Sequence, residues 1–132
     1  MYQYKAIIQK VIDGDTLEID IDLGLSIWVK SEKIRLLGIN TPEVFGVKKG
    51  SPEWEIGNRA SEFVKKLVHE NQEATVETFR DKKEKFGRYL ANVYIRIKPE
   101  ELVGLSDIRV HGDCYCLNDI LIGKGLAEKY MV

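Results

Sequence analysis

From Thr16 onward, Leu17, Ile19, Ile21 and Leu23 alternate strictly with Glu18, Asp20 and Asp22. A period of two places the apolar side chains on one face of an extended strand and the acids on the other. The stretch therefore has to lie over a core as β-structure. Residues 4–12 form a second strand before it, joined through the turn-forming triplet Asp13-Gly14-Asp15. Residues 26–39 read as a long third strand that becomes apolar on both faces at Leu36-Leu37. Residues 74–79 and 89–97 supply two more, the last alternating as Tyr89, Ala91, Val93, Ile95 and Ile97.

Helical spacing interrupts this pattern twice. Ile56, Ala60, Phe63, Val64, Leu67 and Val68 fall on one stripe, and Ser51-Pro52 is a suitable start. A shorter helix is expected from about Asn118, as its N-cap, to Lys124, with Gly125 closing it in the left-handed conformation. Residues 105–110 are expected as an extra strand, turned back at His111-Gly112-Asp113. Five short strands with one helix inserted and another appended suit a small closed barrel. The expected class is α+β, mainly β: a five-stranded oligonucleotide-binding-type Greek-key barrel with two or three packed helices.

The chain has 132 residues. At roughly 100–200 residues per domain it is expected to be a single domain over 1–132. Its 44% hydrophobic and 31% charged residues are ordinary for a globular protein and wrong for a disordered or collagen-like one. No apolar run approaches the roughly 20 residues needed to span a bilayer, so no membrane partner is expected. With 20 basic residues against 21 acidic ones, the net charge of −1 excludes a strongly basic coat for nucleic acid but permits a local basic cleft. Residues 1–8 lack the basic start and apolar stretch of a secretory leader, which makes a cytoplasmic location the expectation. Cys114 and Cys116, with His111, could be imagined as a metal site, but they fall short of the four ligands of structural zinc. Packed, reduced thiols are expected instead.

Three clusters could carry chemistry. Asp13-Gly14-Asp15-Thr16 reads either as a β-turn or as a metal site. In Arg35-Leu36-Leu37-Gly38-Ile39-Asn40-Thr41-Pro42-Glu43, an arginine sits inside an otherwise apolar strand. That is unfavourable unless the guanidinium is paired with an acid or reaches a functional end. The segment from Asp81 to Tyr89 is a basic loop with aromatic residues, either a solvated loop or a phosphate-binding one.

Taken together the clusters match the needs of phosphodiester hydrolysis, which requires charge neutralisation at the phosphate, a base for water and donors for the transition state. Asp15, Asn40 and Thr41 are hard oxygen ligands, Glu43 is a carboxylate on a stiff loop, and Arg35 and Arg88 are guanidiniums. Arginine suits phosphate because its planar fork donates two parallel hydrogen bonds and stays charged. Arg35 and Asn40 have opposite parity, so a regular strand would send them to opposite faces. Twist or a bulge is expected to bring them together.

At these residues the sequence resembles the staphylococcal nuclease-like (thermonuclease) domain family. The resemblance runs through Val11-Ile12-Asp13-Gly14-Asp15-Thr16, through Ile34-Arg35-Leu36-Leu37 with Thr41-Pro42-Glu43, and through Lys85-Phe86-Gly87-Arg88 with Leu90-Ala91. It ends at Leu117-Asn118 with Gly125-Leu126-Ala127, so it covers nearly the whole chain. It implies an oligonucleotide-binding barrel and calcium-dependent hydrolysis of DNA and RNA, with little sequence specificity and preferably on single strands. A monomer is expected.

Position by position, the resemblance implies that Asp15 binds calcium through its carboxylate and Thr41 through its backbone carbonyl. Glu43 corresponds to the general base, and Arg35 and Arg88 to the pair that grips the phosphate, with Arg88 near the leaving 5′ oxygen. Asp13 falls beside the metal without touching it. Lys85 and Phe86 fall where the neighbouring phosphate is contacted, although Phe86 lacks the hydroxyl of the tyrosine often found there. The departure is Asn40, where secreted members carry a second aspartate. Its side-chain oxygen can still serve calcium, which takes about 6–8 oxygens, but brings no charge. Weaker calcium binding and a looser choice of divalent ion are expected. The alternative reading is a catalytically weak or inactive module that holds nucleic acid or protein on the same barrel.

Overall fold

Strand pairing closes the expected barrel. The structure is a computed structural model describing residues 2–42, 48–69 and 71–130, with only the backbone of residues 80–82. Strands β1 (Tyr2–Asp13), β2 (Thr16–Gly24) and β3 (Ile27–Leu36) form an antiparallel meander. On its other side β1 pairs antiparallel with β5 (Gln72–Lys83), which pairs with β6 (Tyr89–Ile95). A short parallel contact of β3 with β6, Ile34–Leu36 against Tyr89–Ala91, joins the ends of the order β3-β2-β1-β5-β6. These five strands are the barrel anticipated from the alternation.

The alternating residues of β2 fill it: Leu17, Ile19 and Ile21 are buried with Ile8, Ile34, Leu36, Val76 and Val93. Leu23 departs from that pattern and is 49% exposed, because β2 runs beyond the barrel to the tip of its hairpin with β3. Asp20, on the polar side, is nonetheless buried, and its carboxylate accepts from the Ser31 amide, Gln9 and Lys30.

Helix α1 (Pro52–Leu67) begins as its sequence requires: Ser51 caps it, with Oγ accepting the Trp54 amide at 3.2 Å, and Pro52 opens the first turn. Its buried face is Gly57, Ala60, Ser61 and Val64, whereas Ile56 of the expected stripe is 40% exposed. Helix α3 (Leu117–Gly123) closes one end of the barrel through Leu117, Ile120 and Leu121, and Gly125 follows it with φ of +72°. Its N-cap is Cys116 rather than Asn118. The Asn118 side chain turns inward instead, accepting the Val93 amide and donating to the carbonyls of Leu37 and Ala91.

Residues 98–116 depart in part from the expected strand at 105–110, although the chain does turn back within 111–113. They hold a one-turn helix α2 (Pro99–Leu102) and a small hairpin of β7 (Val110–His111) with β8 (Cys114–Cys116), the latter pairing with β6. Of the expected 105–110 strand, Val110 lies in β7, and the Arg109 carbonyl before it accepts the Cys116 amide at 2.9 Å. Both cysteines are free thiols, Cys116 buried and Cys114 half-buried. Burial pushes the Cys116 thiol up to about 11. A separate pair, β4 (Ile39–Asn40) with β9 (Glu128–Lys129), ties the chain after β3 to the C-terminal segment. Among the described residues, no helix is long and apolar enough to cross a membrane.

Candidate active site

The β1–β2 hairpin turns over Gly14-Asp15, with Asp13 paired to Thr16. Gly14 answers to space here. A Cβ added to it would stand 2.9 Å from the Ala60 Cβ of α1 and 3.1 Å from Thr41 Oγ1. The bare backbone lets the turn, α1 and the chain after β4 meet, and the buried Asp15 and Thr41 lie side by side there.

The register of β3 then delivers Arg35. Thr16 pairs with Arg35, and the Leu36 amide donates to the Asp15 carbonyl at 2.8 Å. Ile34 and Leu36 point into the core, so Arg35 points out of it, where its Nη2 lies 3.7 Å from Asp15 Oδ2. That answers the difficulty of an arginine in an apolar strand: the guanidinium is paired with an acid, one residue before the end of β3. Asp15 is only 8% exposed, and its two oxygens are held separately. Oδ1 accepts the Thr16 hydroxyl at 3.0 Å, and Oδ2 accepts the Thr41 amide at 3.3 Å.

The parity of Arg35 and Asn40 is reset by a turn, in place of the expected twist or bulge in one long strand. The strand β3 stops at Leu36, Leu37-Gly38 forms a turn with Gly38 at φ +77°, and β4 starts at Ile39. This positive φ is open to glycine at little cost. As a result Arg35 Nη2 donates to Asn40 Oδ1 at 3.0 Å.

Arg88 arrives on the loop before β6. Its Nη1 donates to Thr16 Oγ1 at 3.4 Å, so the Thr16 hydroxyl links Arg88 to Asp15. The other edge of the guanidinium is bound by Glu84, Nε to Oε1 at 3.1 Å and Nη2 to Oε2 at 3.2 Å. Glu84 Oε1 also accepts the backbone amides of Phe86 and Arg88, folding the loop around one carboxylate. Burial raises the Glu84 carboxyl, but the hydrogen bonds from Arg88 and the loop amides outweigh it and leave the group below its ordinary value. Sequence reasoning passed over Glu84; its signal was an acid four residues before Arg88 in an otherwise basic loop. Lys85 and Phe86 project from the same loop, Phe86 69% exposed with Lys85 and Arg88 against its ring. Tyr130 places its ring 5.5 Å from the Arg35 guanidinium.

The structure thus brings Asp15, Arg35, Asn40 and Thr41 together, and joins Arg88 to them through Thr16. Asp13 ends β1 beside the turn. Glu43 lies outside the described residues. Carboxylate, carboxamide and backbone oxygens are hard donors, which fits a calcium-like cation and not a soft one. Among the described residues, there is no cluster of three or more His, Cys, Asp or Glu that could hold a metal. The candidate donor set therefore draws on Asn40 and the Thr41 backbone as well as Asp15.

The staphylococcal nuclease homologue family matches residues 33–132, three quarters of the chain. This chain belongs to that family. A thermonuclease of Staphylococcus intermedius is 40% identical over 89 residues, which is 67% of this chain and 48% of that protein. A thermonuclease of Staphylococcus hyicus is 37% identical over 92 residues, 70% of this chain and 48% of that one. Endonuclease YhcR of Bacillus subtilis is 26% identical over 94 residues, covering 69% of this chain and 7% of that much longer protein. The chain spans about half the length of the two thermonucleases.

Proposed function

We propose that residues 1–132 form a single-domain, metal-dependent nuclease that hydrolyses phosphodiester bonds of DNA or RNA with little sequence specificity. The observation that carries this reading is the convergence of Arg35 and Arg88 on the Asp15–Thr16 corner. Nuclease names among the relatives support it as well. The ion is calcium, held by Asp15, by Asn40 through its side-chain oxygen and by the Thr41 carbonyl, with Asp13 behind them. When bound, the cation supplies positive charge against the phosphate oxygens.

The chain's own residues do the rest. Arg35 and Arg88 clamp the phosphate through paired hydrogen bonds, with Arg88 on the side of the leaving 5′ oxygen. For Arg88 this means presenting the Nη1 edge left open by Glu84. Glu43 takes a proton from water as the water oxygen bonds to phosphorus; the bond from phosphorus to the 5′ oxygen breaks, and that oxygen is protonated from solvent. Lys85 and Phe86 receive the neighbouring phosphate and base, and stacking on an exposed ring tolerates any base, which suits single strands. The protein acts as a monomer.

A second reading, binding of nucleic acid or protein without cleavage, is favoured by one observation: Asn40 brings no charge, and its side-chain oxygen already accepts from Arg35. One experiment separates the two. Single-stranded DNA is incubated with the protein in calcium and in chelator, and both are repeated with Glu43→Ala. Fragments that appear only with wild-type protein in calcium support the nuclease. Intact DNA that stays bound under all conditions supports the binder.

A further inference from the structure

The β2–β3 hairpin ends in an apolar tip. Gly24 pairs with Ile27, so Leu25 and Ser26 make a two-residue turn, with φ of +54° and +62°. Turns with both central residues in this region are normally taken by Asn-Gly or Asp-Gly, because a Cβ is crowded there. Leu25 takes this conformation with its side chain 94% exposed, so no packing inside the barrel explains the leucine. Residues 23–28 carry no charge, and Leu23, Leu25, Ile27 and Trp28 are all exposed. Single exposed apolar residues are ordinary on a protein surface; four on one projecting turn are not.

We propose that this tip docks the protein on a lipid bilayer surface, dipping into the headgroup region without spanning it. The lack of a spanning segment bears on crossing a membrane and not on resting against one. Two features argue against a protein in this place. Four side chains on a convex tip offer far less than the roughly 800 Å² per partner of a stable protein interface. Strand addition is guarded as well: among the described residues no strand pairs with the other edge of β3 before Ile34, but that edge carries exposed Lys30 and Lys33. It also carries a bulge, one extra residue between Val29 and Glu32, with Ser31 at φ +55°. A fluid bilayer needs neither a matching groove nor a free edge.

Behind the apolar side chains lies a belt of both signs. Lys5 faces Asp22 across the β1–β2 ladder, and Asp22 pairs with Trp28 across β2–β3. Lys30 stands 5.1 Å from the Trp28 ring and 3.4 Å from Asp20. Mixed charge matches the zwitterionic headgroups of phosphatidylcholine, and an indole is favoured at that depth. The candidate catalytic corner is at the other end of the hairpin, where Thr16 pairs with Arg35, roughly 25 Å away along β2. Docking by the tip therefore leaves that corner facing water.

The test is flotation of the full chain with phosphatidylcholine vesicles at millimolar lipid, without calcium or nucleic acid, so its outcome is independent of cleavage. Co-flotation is expected, and it is expected to persist in high salt, because salt screens charge contacts and not apolar insertion. Trp54→Phe leaves Trp28 as the sole tryptophan, and its emission is expected to shift to the blue when vesicles are added. Leu25→Asn is expected to weaken partition at least about tenfold, from the loss of one inserted leucine. Its urea midpoint is expected to hold or rise, since asparagine suits the left-handed turn. No flotation, equal flotation of Leu25→Asn, or flotation that requires anionic lipid and disappears in salt overturns the proposal. Dimers in analytical ultracentrifugation that Leu25→Asn disperses also overturn it, by making the tip a contact between copies of this chain.

Discussion

Arg35 donates to the Asn40 side-chain oxygen at 3.0 Å while standing 3.7 Å from the Asp15 carboxylate, so one guanidinium spans a neutral and a charged oxygen group. In the proposed calcium site Asp15 supplies a charged ligand and Asn40 a neutral one. Asn40→Asp adds a carboxylate where the oxygen already points. Calcium affinity, measured by calorimetry, is expected to rise about tenfold, which is about 1.4 kcal/mol. The concentration of calcium that half-saturates cleavage should fall in step. Equal metal dependence in variant and wild type removes Asn40 from the cation site.

Glu84 gives a prediction with a defined pH sense. Its carboxyl lies below the ordinary value of 4.5, because its bonds with Arg88 and the loop amides outweigh burial. A lowered folded value means stabilisation that is complete above pH 4.5 and lost as pH falls through that lower value. Glu84→Gln removes the charge and one acceptor edge, at a cost on the order of 1 kcal/mol. Melting temperatures of wild type and variant are expected to differ by a constant amount above about pH 5.5 and to converge in acid. Parallel curves down to pH 3 contradict this.

What was legible followed how local each cause is. The alternation of Leu17, Ile19 and Ile21 announces β2 within a few residues, and Ser51-Pro52 announces α1, so both stand where expected. Barrel closure rests on Ile34–Leu36 meeting Tyr89–Ala91, a contact between segments far apart in sequence that no local spacing encodes. The Arg35–Asn40 contact depends on a single left-handed glycine, Gly38, inside what reads as one continuous apolar strand. Asn118 satisfies the composition rule for an N-cap equally well as the rule for a buried hydrogen-bonding group. Only its neighbours Val93, Leu37 and Ala91 decide between them.

That decision can be checked. Asn118→Ala leaves the buried Val93 amide without its acceptor and removes both donations, to Leu37 and Ala91. A loss of about 2–4 kcal/mol is expected by urea denaturation, far beyond the roughly 1 kcal/mol of a lost cap. The Leu37 carbonyl belongs to the turn between Arg35 and Asn40, so phosphate affinity should also weaken in conditions where the variant is fully folded. A loss under 1 kcal/mol marks Asn118 as an ordinary cap.

Gly14 tests whether the site depends on the close approach of three segments. The Cβ of Gly14→Ala meets the Ala60 Cβ at 2.9 Å and the Thr41 side chain at 3.1 and 3.2 Å, and neither neighbour is the free end of a flexible chain. Relief has to come from moving α1 or Thr41, and Thr41 carries the amide that Asp15 Oδ2 accepts. Overpacking of this kind typically costs about 1–3 kcal/mol. Ala60→Gly alone loses about 1 kcal/mol in helix propensity but removes one of the two obstructions. In the double variant the new methyl can sit where the Ala60 methyl was, while its clash with Thr41 persists. Denaturant melts of the four proteins are therefore expected to show a favourable coupling of about 1 kcal/mol, with stability only partly restored. Calcium affinity of Gly14→Ala should fall and stay low in the double variant, since Thr41 remains displaced. Simple additivity of the two substitutions contradicts the contact between the turn and α1, and full recovery of calcium affinity contradicts the role of Thr41 beside Asp15.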